Sequence, residues 1–207
     1  MQINLPSGFE DSLIWWTERG MGFHPRPPID YQQDYWNEYL ERDASPMGEA
    51  LTRARIDFVK KYLGDGITEL VDIGIGGGRF VREADCWGFD VNETAIEWLK
   101  SHNAFTNPLT APPEAISCWD ALEHIPKPEK LLRSVRKWLF VSLPIFTNPA
   151  TVVSSKHYKP GEHLWYFTHG GLVKWCAAQG FELVEYNHIE SDLGREGINT
   201  YAFRRSG

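Results

Sequence analysis

The sequence predicts an α/β fold: a doubly wound, mostly parallel sheet of seven strands that ends in an antiparallel C-terminal hairpin. Three observations carry this reading. Apolar runs bounded by turn residues alternate with segments of helical spacing from residue 47 onward. One of those runs, 68–74, drives into a loop holding four glycines in five positions: Gly74, Gly76, Gly77 and Gly78. Two late runs, 181–188 and 198–204, are joined by the short stretch 191–197 at what would be the sheet's edge.

The elements follow in order. Residues 1–46 hold eight aromatic residues, among them Trp15, Trp16, Tyr35, Trp36 and Tyr39, with Pro25, Pro27 and Pro28 between Trp16 and Tyr35. This is too apolar for a disordered tail. It is either a lid or pocket wall, or an arm that extends the core. Residues 47–207 form the main domain. An amphipathic helix over 47–63 ends at Gly64-Asp65-Gly66. Strands are expected at 68–74, 86–90, 104–106 (weak), 114–118, 138–143, 181–188 and 198–204, and helices at 78–84, 93–102, 128–136 and 169–179. Thr168 suits the N-cap of the last helix. Residues 145–168 read as a long insertion of the kind that often serves as a lid or binding loop.

Composition narrows the function. With 207 residues and 42% hydrophobic content, the chain has the size and make-up of a single globular α/β domain. No run approaches the ~20 apolar residues of a membrane span. The first residues lack a basic stretch and apolar core, so no secretory signal is expected. The three cysteines, Cys86, Cys118 and Cys176, contain no C-x-x-C pair and read as reduced packing thiols. A cytoplasmic protein is therefore expected. The net charge of −7 argues against a nucleic-acid partner, which demands a basic footprint.

The glycine loop carries the chemistry. Glycine tolerates positive φ and has no Cβ, so backbone can approach a ligand closely. The helix behind it turns unpaired N–H groups toward something polar or anionic. The dinucleotide pattern G-x-G-x-x-G/A fails, because Arg79 stands at its third small position. The pattern that fits is D-x-G-x-G-x-G: Asp72, Gly74, Gly76 and Gly78. Next comes Trp87-Gly88-Phe89-Asp90-Val91, a short strand ending in an acid that can accept hydrogen bonds from both hydroxyls of a ribose. A third marker is Ser117-Cys118-Trp119-Asp120-Ala121-Leu122-Glu123-His124-Ile125-Pro126, a strand running into a punctuated turn.

Together these motifs resemble the class I S-adenosylmethionine-dependent methyltransferases, in their small-molecule branch, over about residues 50–205. The resemblance implies a Rossmann-like fold and S-adenosylmethionine as cofactor, with S-adenosylhomocysteine as product. It implies that Asp72, Gly74, Gly76, Gly78, Asp90 and Val91 bind the cofactor, and that Cys118, Trp119 and Asp120 flank its sulfonium and the acceptor. Family members often place an acid against the adenine in the segment matching 103–113. This chain has none there, which leaves Asn107 or backbone groups.

The expected reaction is direct in-line methyl transfer to a small molecule, with no covalent enzyme intermediate. A hydroxyl or amine acceptor calls for a base, and His163, His124 and His157 are the candidates. Glu123 and His124 read first as holding their loop by hydrogen bonds. No metal site is expected, since no H-x-x-x-H or comparable spacing occurs. RNA or protein acceptors, and a non-catalytic cofactor-binding protein of the same fold, are the alternatives. The D/N/S-P-P-aromatic motif of amino-group DNA methyltransferases is missing after residue 117, and no cysteine follows a proline. Oligomeric state stays open.

Overall fold

The computed structural model describes residues 2–3, 13–25 and 33–207. Its elements are β1 (Gln2–Ile3), β2 (Ile14–Trp16), β3 (Met21–Phe23), α1 (Gln33–Ala44), α2 (Pro46–Leu63), β4 (Leu70–Ile73), α3 (Arg79–Ala84), β5 (Trp87–Phe89) and α4 (Glu93–Ser101). After these come β6 (Ala115–Trp119), α5 (Pro128–Ser134), β7 (Trp138–Phe146), α6 (Pro149–Val153), β8 (Trp165–Thr168), α7 (His169–Ala178), β9 (Phe181–Asn187), α8 (Ile189–Asp192) and β10 (Ile198–Arg205). Short 3-10 turns occupy Gly64–Glu69 and Leu122–His124.

The central sheet runs β5-β4-β6-β7-β10-β9. Its first four strands are parallel, and β10 runs antiparallel to both β7 and β9. The pleat sorts the side chains of each strand to two faces. Val71, Ile73, Ile116, Cys118, Leu139 and Val141 pack on one side with Leu131, Leu132 and Leu172 of α5 and α7. Leu70, Ala115, Phe140 and Ala202 pack on the other with Ile56, Val59, Val81 and Leu99 of α2, α3 and α4. The sheet is therefore wound on both faces, and its central strands are apolar almost throughout, as doubly covered parallel strands must be.

Helices α2, α4 and α7 start where a side chain satisfies free amides. Ser45 caps α2 by accepting from Gly48 N at 3.0 Å. Asn92 caps α4 through the amides of Thr94 and Ala95. Thr168 caps α7 through Gly171 N at 2.9 Å.

Two regions differ from the sequence-based expectation. The weak strand at 104–106 is reduced to one bridge, Gly88 to Phe105. Residues 145–168 are not one free loop. β7 continues to Phe146, α6 follows, and β8 returns to pair with the end of β7 and with β3. The short run Trp165–Thr168 abuts a helix cap and holds only four residues, too few for its strand periodicity to show. Through β8, the hairpin of β2 and β3 joins the sheet.

Candidate active site

The chain reverses direction across the sheet between β4 and β6, where β5 lies to one side and β6 to the other. The crevice beyond the carboxyl ends of strands at such a point is the usual ligand site of a doubly wound fold. Two cavities meet there. One, of about 430 Å³, is lined by Gly74, Gly76, Phe89, Asp90, Val91, Asn92, Trp119 and Asp120. The other, of about 360 Å³, is lined by Asp72, Thr52, Arg55, Trp119, Asp120, His163 and Arg195. Tyr39, Gly74, Gly76, Trp119, Asp120 and His124 belong to both. Each volume lies in the range of small-molecule sites.

The glycine loop is shaped by φ values of +72° at Gly74 and +55° at Gly76. A Cβ on Gly76 would stand 2.9 Å from the Tyr39 ring. Asp43, at the end of α1, accepts the Arg79 amide at 3.2 Å, and the Arg79 guanidinium donates to the Asp43 carbonyl at 2.6 Å. Arg79, the residue that breaks the dinucleotide pattern, thus ties the loop to the α1–α2 junction.

Asp90 closes the loop from the other side. Its carboxylate accepts the amide of Ile75 at 2.9 Å and those of Val91 and Asn92 at 2.7 and 2.8 Å. Burial raises its carboxyl above the ordinary value, while the three amides pull it down. A carboxylate has about four acceptor sites, so Asp90 keeps room for about one further donor. Asp72 is buried, and burial lifts its carboxyl to about 8 against the hydrogen bond from the Ser117 hydroxyl at 2.6 Å.

Asp120 sits at a φ of +52°, a strained setting for a residue with a side chain. It is paired with Arg195, and Arg55 lies 3.7 Å away. Burial alone would raise its carboxyl, but these guanidinium groups hold it below the ordinary value. Arg55 and Arg195 both also bind Glu190, which is fully buried, and Arg55 stacks over Trp119 at 5.1 Å.

The sequence matches the methyltransferase-domain family over residues 34–186. The chain belongs to that family. The methyltransferase is an enzyme whose cofactor is S-adenosylmethionine. No curated protein matches it significantly in sequence. Its fold is that of the Synechocystis PCC 6803 magnesium protoporphyrin IX methyltransferase, solved with bound S-adenosylhomocysteine. That likeness has a TM-score of 0.59 at 13% identity, over 84% of this chain and 94% of that one. A methyltransferase from Thermotoga maritima gives 0.59 at 15%, over 84% and 97%. The [4+2]-cyclase SpnF gives 0.58 at 14%, over 87% and 97%.

The residues present fit the cofactor. The larger cavity has mostly apolar walls for an adenosyl group, bare glycine backbone at the turn, and in Asp90 a carboxylate with acceptor capacity left.

The methyltransferase places the expected residues unevenly. Gly74, Gly76, Asp90, Val91, Trp119 and Asp120 line the larger cavity, and Asp72 lines the smaller one. Gly78 lines neither. It carries a φ of +80°, and a Cβ there would meet the Trp98 ring at 2.7 Å. Cys118 is fully buried in the α5–α7 layer, because the pleat turns it away from the face that Trp119 presents. Asn107 folds back to accept the Leu109 amide at 2.9 Å, while Pro108 and Leu109 reach the cavity instead.

His124, His157 and His163 all line the smaller cavity. His157 Nε2 is within 2.8 Å of the Glu196 carbonyl oxygen. Burial pushes His163 down to about 2 and also lowers His124, so both are neutral and weak as bases. Trp36 and Tyr39 belong to the segment read as either a pocket wall or an arm, with no individual role, and Arg195 and Glu190 were not legible as site residues. They arrive from an aromatic helix and from the β9–β10 connection, neither of which carries a local motif.

Proposed function

We propose that this methyltransferase transfers a methyl group directly to a small molecule held in the smaller cavity. The observation that supports this most is the pair of contiguous cavities with one shared wall. The larger, mostly apolar one suits the adenosyl end of the cofactor. The smaller is lined by charged and hydrogen-bonding side chains and is sized for a metabolite.

When bound, S-adenosylmethionine supplies an activated methyl group on a sulfonium. The chain's own task is to align the acceptor with that carbon and to exclude water. Asp90 takes a ribose hydroxyl, and Gly74 and Gly76 let backbone close on the cofactor. Trp119 and Tyr39 form the partition where donor and acceptor meet, and Asp120, fixed by Arg195, orients polar groups at that wall. No residue need form a covalent intermediate. Helix α1 acts as a wall over the site through Trp36 and Tyr39. The acidic composition favours a metabolite over nucleic acid.

Incubation with methyl-tritiated cofactor and separated metabolite, RNA and protein fractions tests this. Label in the metabolite fraction supports the reading. Label confined to RNA or protein overturns the acceptor class.

A further inference from the structure

The acceptor cavity has a feature that methyl transfer does not explain. Glu123 is 1% exposed, and neither carboxylate oxygen has a hydrogen-bond partner. Leaving a buried carboxylate without donors is costly, and protonating it leaves an O–H without an acceptor. A bound cation would satisfy both oxygens.

Two imidazoles stand beside it. Ligand atoms of Glu123, His124 and His163 all lie within 4.8 Å of one another, and Glu123 Oε1 is 4.0 Å from His124 Nε2. The two rings are nearly perpendicular, 4.7 Å apart at their centres. The segments that carry them are fastened together: Leu164 N donates to the Glu123 carbonyl at 2.9 Å, and Trp165 Nε1 donates to the Ile125 carbonyl at 3.0 Å.

We propose that Glu123, His124 and His163 bind a divalent first-row transition cation whose free coordination positions face the acceptor cavity. Two imidazoles and one carboxylate make a three-ligand set that leaves room for water or substrate. Ligands about 2.1 Å from a shared tetrahedral ion stand about 3.4 Å apart, so the trio closes slightly by side-chain rotation. His124 and His163 open on the cavity that also touches the glycine loop. The cation would therefore grip a heteroatom of the acceptor, and the two histidines would act as ligands rather than as bases. That positioning rests on the methyl-transfer reading, whereas the binding site itself does not.

The test is titration of chelator-stripped, dialysed full-length protein with Zn²⁺ by calorimetry and with Co²⁺ by visible absorption. One equivalent should bind per chain, with ligand-field bands for Co²⁺. Glu123→Gln and His163→Ala should each weaken binding at least about tenfold, while His188→Ala, on an exposed ring that faces Asn199, should not. Circular dichroism checks folding, and if Glu123→Gln fails to fold, His163→Ala decides alone. Absent binding, or binding that survives His163→Ala, overturns the site. A parallel titration with S-adenosylhomocysteine separates the two ideas. Heat with the nucleoside but none with Zn²⁺ removes the metal site only, and the converse removes the methyltransferase reading only.

Discussion

The Asp90 carboxylate accepts the Ile75 amide at 2.9 Å, so the tip of β5 and the glycine loop after β4 are locked as one unit. The same carboxylate holds the amides of Val91 and Asn92, and Asn92 in turn caps α4. A residue expected only to bind ribose therefore also builds the loop it serves. Asp90→Asn keeps one acceptor oxygen and should lower stability by about 1–3 kcal/mol, through the amides left unpaired. Urea denaturation checks this, and a loss below about 0.5 kcal/mol would show that the loop does not depend on these bonds.

Gly76→Val adds bulk where φ is +55° and the Tyr39 ring would stand 2.9 Å from the new Cβ. Backbone strain of about 1–3 kcal/mol and displacement of α1 should follow together. Cofactor affinity should fall by at least about tenfold, as read by calorimetry. Combining the change with Tyr39→Ala should recover the steric share and not the strain.

Arg195 neutralises Asp120 and Glu190 together, and Glu190 is fully buried. Removing Arg195 leaves two carboxylates, one fully buried, with Arg55 as their shared cation. Arg195→Met should therefore destabilise the protein by about 3–5 kcal/mol in guanidinium unfolding. Arg195→Lys should recover only part, since both contacts come from the terminal Nη1, which the one-bond-shorter lysine side chain does not reach without a shift.

Asp72 gives a pH signature. Burial raises its carboxyl from 3.8 to about 8 in the folded chain. Below pH 4 both folded and unfolded states carry the proton, and the group has no net effect. Between about pH 4 and 8 the unfolded chain releases its proton and the folded one keeps it, so stability falls as pH rises. Asp72→Asn should therefore gain on wild type across that window and level off above about pH 8. Melting curves from pH 4 to 9 check this. A difference that does not change with pH would mean that Asp72 is ionised throughout.

What the sequence made legible was what is encoded locally. The apolar run into Gly74–Gly78, the acid ending β5 and the cap at Thr168 each lie within a few residues of the structure they specify. Pairings across the chain were hidden. Nothing near Arg195 marks it as the partner of Asp120, 75 residues away, and nothing near His163 places it against Glu123. Trp165–Thr168 reads as part of a long loop because its strand pairing with Met21–Phe23 lies about 145 residues away in sequence. The pattern of β6, buried on both faces, does not say which of Cys118 and Trp119 meets the crevice.

The central claim is that the glycine turn and Asp90 together hold an adenosyl cofactor. Calorimetric titration of wild type and Asp90→Ala with S-adenosylhomocysteine tests it most directly. Saturable binding to wild type is predicted, weakened about ten- to a hundredfold in a variant that stays folded, for a loss of about 1.5–3 kcal/mol. Absence of binding to wild type, or equal affinity in a folded Asp90→Ala, would contradict it.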